Sequence, residues 1–160
     1  MIVARMKRVV MAVLFVVNCP VLAQETFVLV GPAVGNVRNQ NRHLYGSLEI
    51  RHVFQSWGKL SLGFGGALEV SSIENYAGLN LTLRYTLFDP WSLSLTSDPG
   101  CFSDRYFDLG SHLEFWSGLE ACYQLRRGYS LAFGLFHYSN GGVATHNPGM
   151  ESVRVAFVIP

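Results

Sequence analysis

Apolar and polar residues alternate one by one along most of this chain. The apolar residues take the even positions of residues 60–71 and the odd positions of residues 77–87, with small or polar residues between them. Successive side chains of a β-strand point to opposite faces, so both segments predict strands with one apolar face. Six further segments have strand character: residues 27–37, 44–54, 91–97, 113–125, 129–139 and 151–159.

The connections between these eight segments differ in length. Tight turns are expected at 56–58, 89–90 and 126–128, and longer connections at 38–43, 98–111 and 140–150, with a short one at 72–75 as the exception. Short periplasmic turns and longer external loops are typical of outer-membrane barrels. The sequence therefore predicts an all-β fold, an eight-stranded antiparallel transmembrane β-barrel.

A soluble sandwich or a lipocalin-like barrel would show the same alternation, with its charged face outward. Small residues on the polar face favour the membrane barrel, because they suit a narrow lumen. Aromatic residues near strand ends also favour it, since they belong at the membrane interface: Trp57, Trp91, Tyr45, Tyr76 and Tyr129. In that barrel the charged residues of the polar face would pair inside the lumen: Glu49, Arg51, Glu69, Arg84, Glu114, Glu120 and Arg154.

The first 23 residues read as a secretory signal peptide. Basic residues precede an apolar run at 9–17, and Val21-Leu22-Ala23 then offers a cleavage site. A membrane anchor is the alternative, but the run is shorter than the roughly 20 residues that a spanning helix needs. The barrel domain is thus expected at residues 24–160. A net charge of +1 gives no reason to expect a nucleic-acid partner.

Candidate chemistry lies where the last two strands meet. His137 and Ser139 share the face of Leu131, Phe133 and Leu135, and their positions are roughly 7 Å apart along a strand. An imidazole in reach of a hydroxyl can activate it as a nucleophile.

Glu151 lies on the same apolar face of the next strand, so all three groups should converge at one rim of the barrel. We expect Ser139 as nucleophile, His137 as general base and Glu151 as the group that orients the imidazole. Asn140, Asn147 and the N–H groups of Gly141 and Gly142 are candidate oxyanion donors. The alternative is that these Asn and Gly residues serve turns only.

With a periplasmic N-terminus, this rim faces the outer leaflet, and the three groups point toward lipid. The substrate is then expected to be a lipid that approaches sideways through the membrane. Cys101, expected in an external loop, and Cys122, expected near the periplasmic end of strand six, are predicted to lie too far apart for a disulfide.

The run His137-Tyr138-Ser139-Asn140, followed by Asn147-Pro148-Gly149 and Glu151, resembles the active-site signature of the lipid A 3-O-deacylase (PagL-type) family. The resemblance implies an outer-membrane esterase that removes the acyl chain at position 3 of lipid A, or of lipopolysaccharide, without a metal or other cofactor. It implies Ser139, His137 and Glu151 as the triad and Phe115 as a supporting aromatic. The chain departs from outer-membrane barrels in ending on Val158-Ile159-Pro160 rather than on an aromatic residue.

Two other functions are consistent with the residues. One is a non-catalytic small barrel for adhesion or envelope stability, and the other is a phospholipase or acyltransferase that uses the same triad. A homodimer is a further expectation that the sequence leaves open.

Overall fold

The computed structural model describes residues 25–38, 42–103 and 108–160, and the expected signal peptide at 1–23 lies outside these ranges. The strands are β1 (Glu25–Gly35), β2 (His43–Trp57), β3 (Leu60–Val70), β4 (Asn75–Phe88), β5 (Trp91–Phe102), β6 (Leu113–Gln124), β7 (Ser130–Ser139) and β8 (Met150–Ile159). Each strand pairs antiparallel with the next, and β8 pairs with β1 to close the barrel. The predicted fold class is confirmed. No helix among the described residues is long and apolar enough to cross a membrane.

The apolar face of most strands points outward, while β1 also places Leu29 and Ala33 in the lumen. On β7, for example, Phe133 and Leu135 are exposed, whereas Ala132 and Phe136 are buried in the lumen. This is the reverse of a soluble barrel, whose apolar residues fill the interior. An apolar exterior around a polar lumen is the arrangement of a barrel that spans a membrane.

Four of the seven charged residues expected to pair inside the lumen do so, whereas both carboxylate oxygens of Glu114 are buried without a hydrogen-bond partner among the described residues. Arg154 donates to Glu49 at 2.7 Å and to Glu120 at 2.5 Å, and Arg51 donates to Glu120 at 2.8 Å and also to Glu49. The Arg154 guanidinium lies over the rings of Trp116 and Phe136 (4.8 and 4.7 Å to the centroids). We call Glu49, Arg51, Glu120 and Arg154 the lumen cluster; with two charges of each sign, it is neutral.

Aromatic side chains fill the lumen next to this cluster: Tyr45, Tyr76, Phe102, Trp116, Phe136 and Tyr138. The positions of Tyr45 and Tyr76 near strand ends predicted them at the membrane interface, and this prediction is wrong, because both are buried in the lumen. Each phenol hydroxyl has a hydrogen-bond acceptor inside the lumen, which favours the inward orientation. Tyr45 donates to Glu74 at 2.9 Å, and Tyr76 donates to the carbonyl of Asp98. Trp57, by contrast, is exposed at the end of β2.

Strand β5 is longer than predicted, because it continues to Phe102 through residues expected to form a loop. Asp98 is buried there and accepts a hydrogen bond from Asn80 at 2.7 Å, which offsets the cost of placing a carboxylate in the lumen. Cys101 consequently lies on β5, opposite Leu113, and not in a loop. Cys122 lies opposite Ser92, at the other end of β5 from Cys101, which is consistent with the expectation that no disulfide joins the two cysteines.

Candidate active site

The register of the last two strands brings the expected base and its orienting carboxylate side by side. His137 on β7 pairs directly with Glu151 on β8, and both side chains point outward. The distance from His137 Nδ1 to Glu151 Oε1 is 3.7 Å, slightly beyond hydrogen-bond length. The two side chains are 51% and 26% exposed, so a substrate can reach them.

Ser139 lies two residues beyond His137 on the same outward face and is half-buried. Both side chains belong to the described residues, and no hydrogen bond joins them in this structure. Catalytic hydrogen bonds are often long before substrate binds, so this geometry is compatible with a later contact. The structure thus places all three residues of the predicted triad at one rim of the barrel.

Gly149 determines how the imidazole sits. Its φ is +66°, and a Cβ built there would lie 2.6 Å from His137 Cε1 and 3.1 Å from Nε2. Only glycine both adopts this backbone conformation readily and leaves room for the ring. The Nε2 edge of the ring therefore packs over Gly149, while Nδ1 faces Glu151. Sequence reasoning missed this role because Asn-Pro-Gly is also an ordinary turn sequence.

Asn140 organises the loop between β7 and β8. Its amide nitrogen donates to the carbonyls of Leu109 (3.1 Å) and His146 (2.7 Å), and its Oδ1 accepts from Gly142 N at 3.0 Å. Its backbone N–H donates to Asn147 Oδ1 at 3.2 Å. Among the candidate oxyanion donors, the side chain of Asn140 and the N–H of Gly142 thus already have partners.

Phe115 lies where the supporting aromatic was expected. It pairs with Ser139 across β6 and β7, and its ring faces Gly141, where a Cβ would lie 3.0 Å from Phe115 Cε2. Gly141 has a φ of +63°, and its backbone N–H has no acceptor among the described residues. The nucleophile candidate, the aromatic and this N–H are therefore close together.

A cleft of about 360 Å³ opens on the outer surface beside His137 and Glu151. Leu135 and Val153 line it and belong to a continuous line of cross-strand pairs on the outer face, the aliphatic row: Leu95, Leu119, Leu135 and Val153. The row lies one step below the His137–Glu151 pair, toward the other end of the barrel. An acyl chain placed along this row would have its ester end at the triad.

Two residues of the cleft were not found by sequence reasoning. Arg38 Nη1 lies 2.9 Å from Glu151 Oε1, on an exposed side chain, and only the fold brings β1 beside β8. Ser117 lies directly opposite His137 on β6. Ser117 could have been noticed as the one serine among the apolar residues of the outer face of β6. Its place opposite His137 could not, because it depends on the register that the turn at 125–129 sets. Within the described ranges, no three His, Cys, Asp or Glu side chains group closely enough to hold a metal ion.

Comparisons with known proteins show the fold and the family of this chain. Among solved structures, the chain is similar to the crystal structure of the outer membrane enzyme PagL, with 23% identity and a TM-score of 0.60; the match covers 82% of this chain and 99% of that one. It is also similar in fold to a de novo designed transmembrane β-barrel, with 14% identity, a TM-score of 0.54, and coverage of 82% and 92%. A comparison with curated protein sequences gave no match. The family model described as lipid A 3-O-deacylase (PagL) matches residues 44–160, most of the chain, and the protein therefore belongs to that family.

Proposed function

We propose that this protein is an outer-membrane lipid A 3-O-deacylase, which hydrolyses the ester-linked acyl chain at position 3 of lipid A. The observation that carries the proposal is the outward-facing group of His137, Glu151 and Ser139 directly above the aliphatic row. A polar group of this kind is disfavoured on a lipid-facing surface unless it has a function. Family membership supports the choice of lipid A as the substrate.

Ser139 Oγ attacks the ester carbonyl carbon while His137 Nε2 accepts the hydroxyl proton. The tetrahedral intermediate collapses, the bond to the sugar oxygen breaks, and the imidazolium returns its proton to the departing sugar alcohol. Water then attacks the acyl-serine with the same base, which releases the fatty acid and restores Ser139. Glu151, on the Nδ1 side, fixes the tautomer and stabilises the imidazolium.

The developing oxyanion needs donors that have no other partner. We assign this role to the backbone N–H of Gly141 and the side-chain amide of exposed Asn147, whose oxygen alone is bonded to the loop. Asn140 then acts as the anchor of the loop that presents both donors, since its own amide bonds two carbonyls.

The site opens to the outside of the barrel, so the substrate enters from the lipid phase. The aromatic side chains and the lumen cluster support this route, because they fill the lumen beside the triad and leave no path through the barrel to it. With β7 running outward from the periplasm, the site lies at the outer leaflet, where lipid A resides. In this orientation the aliphatic row holds the acyl chain.

Mass spectrometry of lipid A incubated with the purified protein in detergent tests the proposal. We expect loss of one ester-linked acyl chain and release of the free fatty acid, and neither product with Ser139→Ala. Ser56→Ala, an exposed serine at the opposite end of the barrel, is the matched control and should retain full activity. Transfer of the acyl chain to another lipid, or an equal rate on phospholipids, would favour the acyltransferase or phospholipase alternative.

Two further expectations stay predictions. Amino-terminal sequencing of the exported protein should begin at Gln24, and sedimentation in detergent would reveal a homodimer.

A further inference from the structure

The outward face carries more polar groups beside the triad than the proposed mechanism uses. Ser97 on β5, Ser117 on β6, His137 on β7 and Glu151 on β8 are consecutive cross-strand partners. They form one line across four adjacent strands, which we call the polar row. Glu151 flanks His137 on one side, and Ser117 flanks it on the other, with Cα atoms about 5 Å apart as in any such pair.

The two serines interrupt a surface that is otherwise apolar. The next residue of the same line on β4 is Leu81, which is 53% exposed. Every member of the aliphatic row, one step below, is a leucine or a valine. Hydroxyl groups that face hydrocarbon are unfavourable without partners. Their presence next to His137, and not on the opposite wall, therefore requires an explanation.

The serines satisfy each other only in part. Their Oγ atoms are 3.0 Å apart, so one hydroxyl donates to the other. The second hydroxyl keeps its hydrogen, which has no acceptor among the described residues, and both oxygens keep lone pairs. Ser117 also lines the cleft that contains His137 and Leu135, so this hydrogen-bonding capacity is presented where a substrate would lie.

The position of Ser117 determines which part of a substrate it can meet. Ser139 pairs with Phe115, so Ser117 lies two residues farther along β6 from the nucleophile, in the direction of the aliphatic row. A chain that starts at Ser139 and descends along Leu135 passes Ser117 just after the ester carbonyl. At that place the sugar lies on the far side of the ester from Ser117. The part of the substrate beside Ser117 is therefore the start of the acyl chain, and a polar substituent there would meet its hydroxyl.

We propose that Ser117, held by Ser97, is a specificity-determining residue that binds a hydroxyl group on one of the first carbons of the acyl chain. A hydroxyl both donates and accepts, as does the serine pair, so the two are complementary. The inference rests on the proposed function, and it adds the residue that recognises the first carbons of the acyl chain. The alternative is a purely structural role, in which the Ser97–Ser117 hydrogen bond only stabilises the pairing of β5 with β6.

Two ester substrates of equal chain length separate these possibilities, one with a 3-hydroxyacyl chain and one with the unsubstituted chain. The wild-type protein should hydrolyse the hydroxylated ester faster. Ser117→Ala should reduce that rate by about three- to tenfold, the value of one neutral hydrogen bond, and leave the rate on the plain ester unchanged. Ser97→Ala should shift the preference in the same direction by less, and Ser56→Ala should not change it.

The decisive measurement is the ratio of the rates on the hydroxylated and the plain ester, because a purely structural role of Ser117 would leave this ratio unchanged. Equal loss on both esters, or a preference that survives in Ser117→Ala, would overturn this inference while leaving the esterase proposal in place. A wild-type protein that prefers the plain ester would do the same. No hydrolysis of either ester by the folded wild-type barrel would overturn both proposals.

Discussion

The lumen cluster and the rim site use the same kinds of charged and polar side chains, but in opposite ways. In the lumen, Arg154 and its two carboxylate partners are buried, and each charge has an opposite charge within hydrogen-bond distance. At the rim, the closest approach between His137 and Glu151 is 3.7 Å, and both side chains are open to the surroundings. Every charge of the first set is buried and paired, which makes the set a structural support. At the rim, Glu151 is paired with exposed Arg38 at 2.9 Å, but His137 lies beyond hydrogen-bond length of Glu151 and stays open to a substrate.

This difference predicts that activity and stability can be lost separately. His137→Ala should lower the rate of ester hydrolysis by about 10⁴-fold or more, because the base and nucleophile act as a unit. The temperature at which the barrel unfolds should stay unchanged, since the half-exposed ring packs against no core residue. His146→Ala, another exposed histidine in the adjoining loop, is the control and should keep its activity. A large loss of thermal stability in His137→Ala would contradict the comparison.

The reverse experiment removes a member of the lumen cluster. Arg154→Met leaves Glu49 and Glu120 with Arg51 as their shared partner, and should lower the free energy of unfolding by about 3–5 kcal/mol. Urea unfolding in detergent measures this change, and the rate per folded molecule should stay near that of the wild type. Arg84→Met, which removes a half-buried side chain bonded to Ser92 at 3.1 Å, should cost less. Loss of activity in folded Arg154→Met would show that the two regions are coupled.

Gly149→Ala tests whether the position of the imidazole matters as much as its presence. The new methyl group would lie against Cε1 and displace the ring, and a displacement of about 1 Å can reduce the rate by roughly 100-fold. Gly142→Ala is a matched control, because its φ is also positive (+80°) but nothing lies within 4 Å of its Cβ. It carries the same kind of backbone strain without the clash. Similar rates for the two variants would remove the role of Gly149.

The smallest effect on activity is expected for a substitution in the aliphatic row. Leu135→Gln places a polar side chain in the aliphatic row and should reduce activity on lipid A by about three- to tenfold through weaker binding of the acyl chain. Leu81→Gln, at an exposed leucine three strands away on β4, is the control for the general cost of a polar residue on the outer face. Hydrolysis of a short-chain ester by Leu135→Gln should be normal. An equal loss of activity on lipid A in both variants would argue against binding of the acyl chain along the aliphatic row.

Much of the barrel could be predicted because alternation alone specifies which residues share a face. The alternation of β7 predicted His137 and Ser139 on the same outer face as Leu135, and the structure has them there. On β8, Glu151 likewise shares the outer face of Val153 and Val155. Local composition was misleading where a long-range partner decides the outcome. Asp98 reads as a loop residue until Asn80 and Tyr76 are placed beside it.

The parts of the site that escaped prediction depend on register and on backbone conformation. Ser117 faces His137 only because the turn at 125–129 sets the pairing of β6 with β7, and a shift by one residue would have turned the serine inward. The contact of Arg38 with Glu151 requires closure between β1 and β8. The need for glycine at position 149 comes from the His137 ring that packs over it, and this contact cannot be read from the sequence pattern.

The filled lumen also determines what the barrel does to the permeability barrier around it. Tyr45, Tyr76, Trp116 and Tyr138 are each at most 1% exposed, and the Arg154 guanidinium lies against the stacked rings of Trp116 and Phe136. A barrel plugged in this way conducts neither ions nor small solutes. A membrane can therefore hold many copies without becoming leaky, and the protein can be abundant without imposing the osmotic burden of a porin.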